Sequence, residues 1–257
     1  MKKVAFLLLT DANFCRMDIW ERFFDKKDKR WNLYVHAKEE PNFKFLKDRQ
    51  IKKHVETGWA EFGLVEAENE LLKEALGDMD NQAFVLISES HCPLYDISRT
   101  IDRILSLNLP IFSNESLKEN LEFRWKRSNF ESVSFLHKIH FAFSSQWWIF
   151  DRNTAIYFSR TKDNFKKHFK NTNFADEHYH ISLCNYEDID FYKQTTTYVN
   201  WKVATSEPYC KYVKRKKPKT YFKVKKAFIK KLRKEGYLFF RKIDEKTIIP
   251  VKEIFET

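Results

Sequence analysis

At 257 residues the chain sits near the upper end of what one domain usually holds, and 43% hydrophobic residues give it material for a core of enzyme size. Only 4 Gly and 6 Pro exclude collagen-like, linker-rich and low-complexity chains. The net charge of +11 is uneven, with Glu235 the lone acid among the Lys and Arg residues between Lys211 and Lys242, and such clustering implies an anionic partner.

The chain opens MKKVAFLLLT, which looks like the start of a signal peptide. The apolar run stops at Thr10-Asp11 without a small-residue cleavage site, and a membrane span needs about 20 apolar residues. It reads as a buried first strand, and a soluble, cytoplasmic or virus-encoded protein is expected. Asp18–Phe24 carries Ile19, Trp20 and Phe23 at helical spacing, and WNLYVHAK then alternates as a strand. Leu64, Ala67, Leu71, Leu72 and Leu76 line one face of a helix over 64–76. AFVLISES is a second buried strand, ended by Pro93. A helix follows over 98–105, and LPIF forms a short strand.

Strands alternating with helices predict an α/β fold with a mostly parallel sheet flanked by helices. In such sheets ligands bind beyond the carboxyl ends of the strands. Here those ends are Thr10-Asp11, His36-Ala37-Lys38 and Ser88-Glu89-Ser90, all polar, as a nucleotide cleft requires. Thr10, His36 and Lys38 are therefore candidate nucleotide-binding residues.

The second half is less regular. FAFSSQWWIFDRNTAIYF joins two aromatic strand-like pieces with a helix start at Asp151. NFADEHYHISL puts two acids at a helix N-terminus, TTTYVNWKV is β-rich, 225–234 is a basic helix, and GYLFFRKI is expected to end the ordered fold. Cys15, Cys92, Cys184 and Cys210 are too dispersed for a disulfide framework or a structural zinc site, and read as isolated thiols.

Three features could carry chemistry. Asp176-Glu177, among Phe174, His178, Tyr179 and His180, offers a partly shielded carboxylate able to serve as a general base, although capping alone explains many such pairs. Asp78-Met79-Asp80 and Asp188-Ile189-Asp190 have the D-x-D spacing that can hold a divalent ion, but both lie in polar, turn-like context and read as turns. The basic segment fits a solvated face, a nucleic-acid patch with Tyr209, Tyr212, Tyr221 and Phe222 interleaved, or a diphosphate clamp. No P-loop, G-x-G-x-x-G or G-x-S-x-G occurs.

Taken in order, VAFLLLT, WNLYVHAK, NQAFVLISESHCPLYD, SSQWWIFDR, DEHYH, TTTYVNW and LFFRKID resemble the motifs of one family, the core-2/I-branching β-1,6-N-acetylglucosaminyltransferases and their plant relatives. The resemblance implies a GT-A type fold over 1–257, with 1–110 the nucleotide-binding half and 111–257 the acceptor and diphosphate-binding half. It also implies inverting transfer from a UDP-sugar to a glycan hydroxyl, without a metal or other cofactor. By the same resemblance Glu177 matches the catalytic base and Lys242, with Arg241 beside it, the diphosphate contact. Lys219 stands where the family has a second diphosphate-binding arginine, a change that keeps the charge but loses the bidentate fork. Trp201, Arg124 and Trp125 match acceptor-side positions, and Asp176 is assigned with them. Ser144 replaces the family's glycine and Asn200 its aspartate. A nucleic-acid-binding protein and a carbohydrate-binding pseudoenzyme of the same fold are the alternatives.

Overall fold

The computed structural model describes residues 1–25, 27–113, 121–160, 167–201 and 218–256. Apolar runs become buried strands: β1 (Lys3–Thr10), β2 (Trp31–Ala37) and β3 (Asn81–Ser88). Between them run α1 (Met17–Phe23), a single turn α2 (Lys44–Lys47) and α3 (Gly63–Ala75). A two-residue strand β4 (Cys92–Pro93) precedes α4 (Ile97–Leu105), whose first turn is capped by the Asp96 carboxylate accepting from the Arg99 N–H at 2.9 Å. Then come β5 (Ile111–Ser113), α5 (Leu121–Arg127), β6 (Ser145–Asp151), α6 (Arg152–Ser159), α7 (Tyr179–Tyr186), β7 (Tyr192–Lys193) and β8 (Thr197–Val199). The described chain closes with α8 (Lys226–Lys234), β9 (Phe239–Arg241) and α9 (Val251–Phe255).

The main sheet has the order β2-β1-β3-β6-β5-β7. Its pairings are parallel except for the two made by β6, so β6 alone runs against the rest. Side chains alternate across the pleat and divide the core into two layers. Val4, Phe6 and Leu8 pack with α1, α4, α8 and α9 on one face; Ala5, Leu7 and Leu9 pack with α3, α6 and α7 on the other. A second sheet, β4-β9-β8, brings the C-terminal strand against the loop that leaves β3.

The structure departs from the sequence reading in three places. Of the two aromatic strand-like pieces, only Ser145–Asp151 is a strand. The helix expected to start at Asp151 follows as Arg152–Ser159, its first turn capped by the Asp151 carboxylate, which accepts from the Thr154 N–H at 2.8 Å. Asp176 and Glu177 lie in a 3-10 turn, Ala175–Glu177, ahead of α7 rather than at its first positions. The fold also continues past GYLFFRKI, because Ile249 and Ile254 are buried in the first core layer. Arg233 ties this tail down: its guanidinium donates to the carbonyls of Leu94 (2.6 Å) and Glu253 (2.8 Å).

Cys92 and Cys184 are buried free thiols, Cys15 is half-buried and free, and Cys210 lies outside the described residues. Among those residues no helix is long and apolar enough to cross a membrane.

Arg152, the last residue of SSQWWIFDR, works at the far end of the sheet from the carboxyl ends of β1–β3. It donates to the carbonyls of Leu76 (3.0 Å), Asp78 (3.1 Å) and Asn81 (2.9 Å), closing the turn from α3 into β3. Arg152→Ala leaves three carbonyls to find water and is expected to destabilise the fold by about 2–3 kcal/mol, the range for bonds from a charged donor. Urea unfolding of the two proteins checks the value.

Candidate active site

Three chain segments meet beyond the carboxyl end of β3. The first is Ser88–His91. The His91 Nδ1 accepts from the Ser88 N–H at 3.0 Å, so its proton is on Nε2, and burial keeps the imidazole neutral by pulling its pKa well down. Its ring meets Trp147 edge-on at 4.4 Å.

The second segment is β9 and its continuation. The Arg241 guanidinium lies 4.1 Å from the Trp147 ring centroid and donates to the Ser90 hydroxyl at 3.2 Å. The Lys242 N–H donates to the Lys219 carbonyl at 3.3 Å, and the Lys219 N–H to the Asn200 carbonyl at 2.8 Å. Two main-chain bonds thus bring the three expected diphosphate-binding residues together, with Trp201 next in the chain after Asn200 and 44% exposed. Burial raises the Glu89 carboxyl pKa; the charges of Arg241 and Lys242 pull it back.

The third segment is the carboxylate turn. Phe174 has φ of +56°, a left-handed backbone for a bulky residue, and its N–H donates to the Ala60 carbonyl at 2.8 Å. The turn is then locked by the Ser144 N–H donating to the Glu177 carbonyl at 3.0 Å. Ser144 stands where the family has glycine, yet it is the backbone that makes this bond. The Glu177 carboxylate pairs with Arg124 at 3.1 Å, and that guanidinium lies over Phe143 at 3.4 Å. Arg124 therefore fixes where Glu177 sits.

Asp176 behaves differently. Its Oδ1 is buried and accepts no hydrogen bond. Burial, and then the Glu177 charge beside it, raise its pKa to about 7, while Arg241 pulls it down.

Of the nucleotide-binding candidates, Thr10 is buried at the end of β1 and donates to the Asn13 carbonyl at 3.3 Å. His36 is also buried. Its Nε2 accepts from the Val55 N–H at 3.0 Å, its ring stacks on His54 at 4.7 Å, and burial lowers its pKa to about 4. Lys38 is exposed, its N–H bonded to the Thr10 carbonyl at 3.0 Å. Trp125, expected on the acceptor side, packs into the core edge-on to Phe141 at 5.0 Å.

Neither D-x-D lies at this end. Asp78 and Asp80 pair with Lys3 at the amino end of β1, at 2.8 and 3.6 Å. Asp188, with φ of +51°, turns the chain after α7. Among the described residues no group of three or more His, Cys, Asp and Glu side chains could hold a metal ion. Of the aromatics read beside the basic segment, Tyr221 is buried against Phe228 and Phe240, Phe222 is 75% exposed, and Tyr209 and Tyr212 lie outside the described residues.

Sequence reading missed Glu68. It is fully buried on α3, accepting from the Gln146 amide at 2.8 Å and the Trp148 indole at 3.4 Å, with His180 Nδ1 3.5 Å away. Burial raises its pKa well up, and the charge of Asp176 adds to this. The signal was present: Glu68 falls four residues after Leu64 and four before Leu72, on the apolar stripe of the helix.

The family model described as Core-2/I-Branching enzyme matches residues 4–233. The chain belongs to this family. Glycosyltransferase BC10 of Oryza sativa subsp. japonica is 33% identical over 114 residues, covering 40% of this chain and 28% of that protein. The mostly parallel sheet with helices on both faces is consistent with a GT-A-like fold. Arg241 and Lys242 follow the last matched residue, so their place in the site comes from geometry and motif resemblance.

The raised pKa of Asp176 has a definite sign. An acid with a higher pKa folded than unfolded favours folding while the native state holds the extra proton, and that advantage disappears as pH rises towards 7. The depressed pKa values of buried His178 and His180 push the opposite way. Relative to Asp176→Asn, the wild-type protein is therefore expected to lose melting temperature between about pH 4 and 7. Paired thermal melts across that range read the difference.

Proposed function

We propose that this protein is an inverting glycosyltransferase that moves N-acetylglucosamine or another hexose from a UDP-sugar to a glycan hydroxyl without a metal ion. The observation that carries the reading is the position of Arg241, bonded to Ser90 and packed on Trp147, with Lys242 next to it and Lys219 bonded to the Lys242 main chain. Fixed cations and a pair of carboxylates share one end of the sheet, as a single displacement requires.

In that displacement the acceptor hydroxyl gives its proton to the Glu177 carboxylate while its oxygen bonds to the anomeric carbon. The bond from that carbon to the diphosphate oxygen breaks, and its electron pair leaves with UDP. The developing charge is met by Lys219, Arg241 and Lys242, held in place by the β9 main chain. Thr10, His36 and Lys38 lie at the strand ends where the uridine would bind, His36 acting through the loop it bonds at Val55. Arg124 orients the base, Trp201 offers an exposed ring to the acceptor, and Asp176 adds a second carboxyl whose pKa burial raises.

Glu177→Gln keeps the size of the side chain and removes the proton acceptor. Sugar transfer, assayed in chelator with a panel of UDP-sugars, is expected to fall by about 10²–10⁴-fold, while UDP binding is retained. Normal turnover in that variant removes Glu177 from the role.

A further inference from the structure

An exposed aromatic strip adjoins the carboxylate turn. Trp59 is 80% exposed and meets the half-buried ring of Phe174 edge-on at 5.4 Å. The exposed Arg127 guanidinium lies over Phe174 at 4.0 Å and 6.0 Å from Phe123, itself 61% exposed. Ring, ring, cation and ring form one continuous surface drawn from three separate parts of the chain.

Hydrogen bonds hold these parts together. The Phe174 N–H donates to the Ala60 carbonyl at 2.8 Å, the Asn173 N–H to the Ser128 carbonyl at 2.9 Å, and the Asn129 side-chain Nδ2 to the Asn171 carbonyl at 3.0 Å. Ala60 and Phe174 both adopt left-handed backbone, φ +66° and +56°, which costs about 1 kcal/mol or more each. The fold bears that cost at the two residues that set Trp59 and Phe174 against each other.

The strip is joined directly to the reacting carboxylate. Phe174 opens the 3-10 turn that ends at Glu177, and α5, which carries Phe123 and Arg127, also carries the Arg124 that pairs with Glu177. In a displacement with inversion the acceptor must reach the base, and the strip is built on the same turn and helix that hold that base.

We propose that Trp59, Phe123 and Phe174, with Arg127 between them, form a stacking subsite for the pyranose rings of an acceptor oligosaccharide, one or more sugars away from the reacting hydroxyl. The inference rests on the glycosyl-transfer reading above and adds to it that the acceptor is an oligosaccharide rather than a single sugar. The chemistry suits that ligand. A pyranose has an apolar C–H face that packs on an aromatic ring, and hydroxyls at its edge that take hydrogen bonds from a guanidinium.

The test uses Trp59→Ala and Phe123→Ala in the full chain, with an array of defined neutral oligosaccharides of one to six sugars probed at saturating UDP. Both variants are expected to bind UDP as the wild type does and to hold oligosaccharides about tenfold more weakly, the upper part of what one aromatic contact contributes. Single sugars are expected to be held equally, and Trp59→Phe to recover most of the loss. Equal glycan retention by wild type and variants, or no preference of the wild type for longer glycans, overturns the proposal while leaving the transfer reading intact if UDP binds. Failure of the wild type to bind UDP sinks the transfer reading itself. A shift from oligomer to monomer in sedimentation velocity, produced by the same variants, marks the strip as a contact between copies and also overturns the subsite.

Discussion

The contact between Arg241 and the loop that leaves β3 holds the site together. The guanidinium packs on Trp147 and bonds to Ser90, so a residue near the end of the chain is fixed against a strand formed near residue 88. The β4–β9 pairing and the bond from the Ile243 N–H to the Ser90 carbonyl hold the strand against this loop, and the Arg241 side chain adds its charge there. The site therefore depends on contacts across the fold rather than on a local sequence motif.

The carboxylate turn is built with the same economy. Glu177 and Asp176 are adjacent, yet their surroundings differ. Glu177 faces Arg124, while Asp176 sits buried with an unbonded oxygen beside a second buried acid, Glu68, and burial raises the Asp176 pKa. Glu68 adds rigidity from below, because its carboxyl joins α3 to Gln146 and Trp148 of β6 and approaches His180 of α7.

Much of the fold was legible in the sequence because β1, β2 and β3 are apolar runs ending in polar residues, and α3 carries a clean stripe. The resemblance of seven short motifs then pointed to the family. What escaped was set by tertiary contacts. Asp176 and Glu177 fell in a 3-10 turn before the expected helix, and Ile249 and Ile254 extended the core past the last expected strand. Trp125, expected with Arg124 on the acceptor side, is buried against Phe141, while Arg124 pairs with Glu177. Glu68 was hidden because a helix pattern was read for its apolar residues, although the informative residue was the acid among them. The aromatic strip around Phe174 could not be read at all, since its members are about fifty residues apart in the chain.

The central claim is that fixed lysine and arginine groups hold the diphosphate in place of a metal ion, and a comparison of two ligands tests it directly. Isothermal titration calorimetry of UDP and of uridine, both in chelator, on wild type and Lys242→Ala isolates the diphosphate. The account predicts that UDP binds more tightly than uridine without metal, and that the substitution weakens UDP by about tenfold or more while uridine is unaffected. UDP binding no tighter than uridine in chelator, or unchanged by the loss of Lys242, would contradict it.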